Sequence, residues 1–207
     1  IATGRRAAEL QSLVTHCADQ GGSADYLAGD ITDRAFVAKL TELAFDADIF
    51  VNNAGILTYA PLLELTATQC ESMFRVNVLA AIEVSQRMGE RMAKRRRGHI
   101  VIITSAAART IRRLRSVYGA TKHAMAGFTK GLRVELKGYG IKVTEIAPGM
   151  VDTDLRNSST HAEVLAEFDK VAYAPMTPQD VAQAVLYAVS TSDTCCPDLI
   201  ELRPADA

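Results

Sequence analysis

Short apolar runs alternate along this chain with longer segments whose apolar residues recur every three or four positions, and that rhythm admits few folds. Ile1 to Thr3 reads as the end of a strand. Residues from about Ala7 to Asp19 read as a helix with Leu10, Leu13 and Val14 on one face. Ala24 to Ala28 is a short strand, followed by Gly29-Asp30. Asp33 is placed to cap a helix carrying Phe36, Val37, Leu40 and Leu43. Ala47 to Val51 is a buried strand closed by Asn52-Asn53-Ala54-Gly55. A long helical stretch runs from Thr66 to about Arg95. His99 to Thr104 is a strand, Val117 to Lys137 a helix, and Ile141 to Ile146 a strand after Gly140. Pro178 stands in the first turn of a helix reaching about Ser190, and Leu199 to Leu202 is a last strand. The alternation predicts an α/β fold: a doubly wound parallel sheet with helices on both faces. No repeat, linker or low-complexity segment divides the chain, so residues 1–207 read as a single domain.

Composition narrows the function. Apolar residues at 48% and charged residues at 23% are ordinary for a soluble globular protein. A net charge of −1 gives no electrostatic bias toward nucleic acid or an anionic membrane. No apolar run approaches the ~20 residues that span a bilayer. The opening Ile1-Ala2-Thr3-Gly4-Arg5-Arg6 does not read as a signal peptide. Cys17, Cys70, Cys195 and Cys196 form no Cys-x-x-Cys pair, which predicts reduced thiols in a cytoplasmic protein. The four histidines have no metal spacing; no metal is expected, and His99 and His123 are assigned no role.

Tyr118 and Lys122 lie four residues apart, just over one helical turn, so phenol and ammonium share a helix face. Ser105 follows the apolar run His99 to Thr104. The three are therefore expected at the C-terminal edge of a sheet, where open α/β folds bind ligands. With Gly29-Asp30-Ile31-Thr32-Asp33, Asn52-Asn53-Ala54-Gly55, Asn77, Pro148-Gly149 and Thr153, the ordered set resembles the short-chain dehydrogenase/reductase family, from Ile1 to about Leu202.

The resemblance implies a Rossmann-type fold and an oxidoreductase that interconverts a secondary alcohol and a ketone with NAD(H) or NADP(H). Tyr118 is then the acid/base, Ser105 donates to the substrate oxygen, and Asn77 links Lys122 to a water chain. A free phenol titrates near ~10, and Lys122 is expected to lower that value. Asn77 also admits a structural reading, a helix-interior amide bonded to its own backbone. Cofactor contacts are implied at Asp30, Ile31, Asn52, Ala54, Gly55, Pro148, Gly149, Val151 and Thr153, with Tyr118 and Lys122 at the reacting end. Asp30 could equally be a turn aspartate after a strand. Where NAD-preferring folds place an acid, this chain has Gly4 followed by Arg5 and Arg6. Arginine forks suit a 2′-phosphate, so NADP(H) is expected. Family members usually form homodimers or homotetramers through the two long helices, and a small-molecule alcohol or carbonyl compound is the expected substrate.

One family element has no match in this sequence: the first strand, glycine-rich loop and helix that would precede Ile1. About 30 residues are involved, from the size of a βαβ unit. The strand is central in the family order, so without it the sheet is expected to split and leave unpaired edges, and the 207 residues to be poorly stable and inactive. Two readings stay open: a stretch of a longer, ordinary enzyme, and a degenerate or non-catalytic cofactor-sensing protein. Lys94-Arg95-Arg96-Arg97 reads as a solvated helix end suited to the helix dipole. Arg109, Arg112, Arg113 and Arg115, between Ser105 and Tyr118, are candidates to attract an anionic substrate, or else solvent and interface residues. The segment Leu155 to Ala174, polar at Asn157-Ser158-Ser159-Thr160, is expected to be a mobile cover over the substrate.

Overall fold

Ala2–Gly4 (β1) and Tyr26–Ala28 (β2) pair in parallel, with Ala2 opposite Tyr26 and Gly4 opposite Ala28. Ala7–Asp19 (α1) connects them, and Arg34–Leu43 (α2) follows. Asp33 caps α2: its carboxylate accepts from the Ala35 amide at 2.8 Å, an arrangement that contributes about 1 kcal/mol. Glycine is required at position 29, because a Cβ there would fall 2.2 Å from the Phe36 ring. These elements belong to the first of two compact units, Ile1–Asp46; the second is Ala47–Ala207. The computed structural model describes residues 1–206, with the side chains of Arg156 and Asn157 outside the description.

The second unit holds a four-stranded parallel sheet. Ile49–Asn52 (β3), Gly98–Ile103 (β4), Ile141–Pro148 (β5) and Leu199–Leu202 (β6) lie in that order. Side chains alternate across the sheet, so β4 feeds two cores. Ile100 and Ile102 pack with Met92, Met125 and Val143 on one face. Val101 packs with Ile146, Ala184 and Ala188 on the other. Each such apolar side chain contributes about 1.5–3 kcal/mol by leaving water. The covering helices are Ala81–Arg95 (α4) and Ser116–Leu136 (α5) on the first face and Pro178–Val189 (α8) on the second. Pro178 occupies the first turn of α8, behind a reciprocal cap between Thr177 and Asp180.

The expected helix from Thr66 to Arg95 is not regular. Thr66 and Gln69 cap each other at the start of Ala67–Phe74 (α3), but residues Arg75–Ala80 wind as a π-helix before α4 resumes. The wider turn carries Asn77, whose side chain bonds a distant loop rather than its own helix. At the other end of α4, Arg95 is half-buried, donates to the Ala47 carbonyl at 2.6 Å, and lies near Asp48. Arg97 pairs with Asp48 at 3.1 Å. The basic run therefore clamps α4 to the start of β3 as well as facing solvent.

Gly140 takes φ 75°, and a Cβ there would approach the Arg96 carbonyl to 2.9 Å, so glycine sets the turn into β5. The cover segment forms two short helices, Asp154–Asn157 (α6) and Ala162–Asp169 (α7). It is anchored rather than loose. Ser159 is buried and accepts from the Tyr59 amide at 3.1 Å, and His161 bonds Glu64 at 2.8 Å. The Asn157 side chain lies outside the described residues.

The strands form two sheets, β1-β2 and β3-β4-β5-β6. Among the described residues β3 pairs only with β4. Its Ile49 and Val51 side chains remain 47% and 39% exposed.

Candidate active site

β4 and β5 end side by side, and Ser105 is fixed between them. Its backbone is extended and it opens the short turn Ala106–Ala108. Its hydroxyl accepts from the Ala107 amide at 3.1 Å and reaches the Pro148 carbonyl at 3.5 Å. Tyr118 sits in the first turn of α5, buried, with Ser105 near enough to act on its phenol. One turn on, the buried Lys122 ammonium donates to the Ile103 carbonyl at 3.2 Å and lies 5.7 Å from the Tyr118 ring centre. Sequence reasoning expected these three groups together, and the structure brings them together.

Asn77 stands behind them. Its Oδ1 accepts from the Ile56 amide at 2.8 Å, and its Nδ2 donates to the Ile56 carbonyl at 2.8 Å and to Thr121 Oγ1 at 3.2 Å. Thr121 in turn donates to the Tyr118 carbonyl at 2.7 Å. The reading of Asn77 as an amide bonded to its own helix backbone is thus replaced by a clamp between the β3 loop and α5. Gly55 closes the arrangement: a Cβ there would lie 3.4 Å from Asn77 Oδ1 and 3.8 Å from Lys122 Nζ.

A cavity of about 660 Å³ opens over this floor. Ser105, Tyr118 and Lys122 line it, with Gly55 on one wall and Pro148, Gly149, Val151 and Thr153 on another. Burial drives the protonation of the floor. It pushes the Tyr118 phenol well above its ordinary value, helped by Tyr59 and opposed by the Ser105 hydrogen bond and the Arg115 charge. It pulls the Lys122 amine down to about 8. The expectation that Lys122 sets a lowered Tyr118 value is therefore corrected. Desolvation outweighs the neighbouring cations, and the guanidinium acting on the phenol is Arg115.

The remaining expected residues are dispersed. Asn52 turns its side chain away from the cavity, donating to the Ala81 carbonyl at 2.9 Å and to Ser85 at 3.0 Å, and Ala54 does not line the cavity. Asp30 lies in the first unit and accepts from the Thr32 amide and hydroxyl, both at 2.8 Å, the turn geometry of its structural reading. Ile31 is half-buried beside it. Arg5 and Arg6 are exposed between β1 and α1, and Arg6 pairs with Glu9 at 2.6 Å.

Two of the four candidate anion-binding arginines are committed elsewhere. Arg109 grips the buried Glu145 at 2.5 and 2.7 Å and Glu201 at 3.1 Å. Arg113 pairs with Glu163 at 2.5 Å. Arg112 and Arg115 line the cavity. Sequence reasoning missed Tyr59, a buried loop aromatic whose ring meets Tyr118 edge-on at 5.4 Å. Its position between Thr58 and Ala60 carries no periodic signal. His99 is also more than incidental: it is buried, bonded to Thr144 at 2.8 Å, and lowered to about 4 by burial and then by Lys142.

The residues present fit the nicotinamide-ribose half of a dinucleotide. The Lys122 ammonium, bonded to the Ile103 carbonyl, retains donors at the cavity wall, and Pro148-Gly149 line the same cavity. No helix among the described residues is long and apolar enough to cross a membrane.

Residues 1–164 match the short chain dehydrogenase family. An uncharacterised oxidoreductase of Staphylococcus aureus is 28% identical over 208 residues, which cover 99% of this chain and 85% of that protein. The sepiapterin reductase of Chlorobaculum tepidum is 27% identical, over 99% of this chain and 82% of its own length. Among solved structures, the closed form of a serine dehydrogenase complexed with NADP+ superposes with a TM-score of 0.89 at 28% identity, covering all of this chain and 85% of that one. With a parallel α/β sheet, a serine–tyrosine–lysine floor and this match over most of its length, the chain belongs to the short-chain dehydrogenase family of oxidoreductases.

Proposed function

We propose that this chain is an NADP(H)-dependent oxidoreductase interconverting a secondary alcohol and a ketone. The observation that carries the reading is the pair of hydroxyls, Ser105 and Tyr118, that line one cavity floor with the Lys122 ammonium beside them. NADP(H), when bound, supplies or accepts the hydride. The chain's own residues handle the oxygen. Tyr118 gives its proton to a carbonyl oxygen placed against it, while Ser105 donates a second hydrogen bond to the charge developing there. Burial keeps the phenol protonated at neutral pH, the form needed for carbonyl reduction. The reverse direction requires the phenolate, which Ser105 and Arg115 favour and burial opposes.

Lys122 and Gly55 border the space for the nicotinamide ribose, and Asn77 holds both in register. The NADP+ complex of the related serine dehydrogenase supports the cofactor assignment. Arg5 and Arg6 are proposed for the 2′-phosphate and Asp30 with Ile31 for the adenine. A cytoplasmic homodimer or homotetramer is proposed through α3–α4 and α5, where Leu79 and Val134 are exposed. Steady-state kinetics with NADPH and NADH test the reading. Arg5→Ala should raise the KM for NADPH about tenfold, the value of one charge-assisted phosphate contact, and leave that for NADH unchanged. An unchanged KM for NADPH would remove Arg5 from the cofactor site.

A further inference from the structure

Of four arginines between Ser105 and Tyr118, two already serve carboxylates and two face the cavity. Arg115 is the better defined. Its guanidinium carbon lies 4.9 Å from the Tyr59 ring centre and 5.9 Å from that of Phe168. The two rings meet each other at 6.3 Å. The three distances place both rings to one side of the guanidinium carbon, and the donors on its other side are left to bind a carboxylate. Among the described residues no carboxylate lies within ion-pair distance of Arg112 or Arg115. Glu167 feels the Arg115 charge but is paired with Lys170 at 2.8 Å.

The backbone that presents these arginines is strained. Leu114 is buried with φ at 67°, in the left-handed region that leucine avoids, and its carbonyl accepts from the Ala60 amide at 3.3 Å. Conformations of this kind persist where the surroundings impose them, and they gather at ligand clamps. Beyond the floor, a second hollow of about 400 Å³ shares Tyr59, Arg112, Arg115 and Phe168 with the main cavity.

Tyr59 provides the ruler. Its ring centre is 5.4 Å from that of Tyr118 and 4.9 Å from the Arg115 guanidinium carbon. Arg115 and the Tyr118 ring are therefore at most about 10 Å apart, a range over which the guanidinium acts on the phenol. We propose that Arg115, assisted by Arg112, binds a carboxylate carried by the substrate a few bonds from the reacting carbon. The substrates are thus short hydroxy acids and their keto acids. The inference rests on the oxidoreductase reading of the floor and adds the substrate class.

The test pairs acids with their methyl esters: 3-hydroxybutanoate, 4-hydroxypentanoate and 5-hydroxyhexanoate, oxidised with NADP+, for the wild-type protein, Arg115→Met, Arg115→Lys and Arg112→Gln. Methionine keeps bulk against Tyr59 and Phe168. At least one acid should exceed its ester in kcat/KM by about tenfold or more, as expected for a charge-assisted contact. That ratio should collapse toward one in Arg115→Met and recover in part in Arg115→Lys. Ligand-observed NMR with the same pairs, without cofactor, gives a second readout. Acid-selective binding lost in Arg115→Met, with no turnover of any pair, would uphold the carboxylate site and sink the oxidoreductase reading. Equal or ester-selective behaviour in both assays, or a ratio indifferent to Arg115, would overturn the carboxylate site.

Discussion

Lys122 is a functional group held against the preference of its surroundings, and removing it should stabilise the fold. The folded amine titrates at about 8, against an ordinary value of 10.5, because burial strips its water. That gap corresponds to about 3 kcal/mol. The sign follows from proton counting. Between the two values the unfolded amine binds a proton that the folded one releases, so stability rises with pH across that window. The penalty is full below about 8 and vanishes above about 10.5. The hydrogen bond to the Ile103 carbonyl offsets it by about 1 kcal/mol. Lys122→Met keeps the stem volume and removes the charge. In urea unfolding at pH 7 the variant should be more stable by about 2–3 kcal/mol. At pH 9.5 that advantage should shrink by roughly 2 kcal/mol, because the folded amine is by then mostly neutral while the unfolded one still carries its proton. Turnover should be lost at both pH values. A variant less stable than wild type at pH 7, or an advantage independent of pH, would refute the reasoning.

Asn77→Ala leaves the Ile56 amide and carbonyl without their partners, and should cost about 2–4 kcal/mol in urea unfolding; a loss below 1 kcal/mol would contradict the clamp. Arg109→Met strands the buried Glu145 carboxylate and should cost about 3–5 kcal/mol at pH 7. Burial alone would raise Glu145, but bonds from Arg109 and Thr104 hold it below the ordinary range. Its contribution is therefore present above that range and lost as pH falls through the folded value, so the Arg109→Met deficit should narrow between pH 7 and pH 4. A deficit constant with pH would count against this pairing. Val51→Lys, on the exposed face of the edge strand β3, should slow aggregation followed by light scattering, and an unchanged rate would clear that edge of blame.

Local chemistry was readable in the sequence wherever a residue acts on its own neighbourhood. Asp33 and Thr66 cap the helices they precede, Pro178 stands in the first turn of its helix, and Gly140 turns into β5. Tyr118 and Lys122 share a face because helical spacing alone puts them there. What could not be read depends on register and burial. Arg109 meets Glu145 across 36 residues of sequence, through the pairing of β4 with β5 that sets Ile102 beside Glu145. Nothing in the local pattern separates Arg109 from Arg112. The π-helix at residues 75–80 escaped because one added residue per turn barely disturbs an apolar period. The direction of the Tyr118 shift was misjudged for a related reason. Proximity to a cation is visible in spacing, whereas the desolvation that outweighs it appears only once the cavity walls are in place.

The central claim is that Tyr118 exchanges the proton at this floor. The direct measurement is NADPH-linked carbonyl reduction by wild type and Tyr118→Phe, alongside an NADPH fluorescence titration of each. The account predicts similar NADPH affinity for the two and a turnover lower by about 10²–10⁴ in the variant, the usual value of a placed acid. Comparable turnover in the two proteins, at equal NADPH affinity, would contradict it.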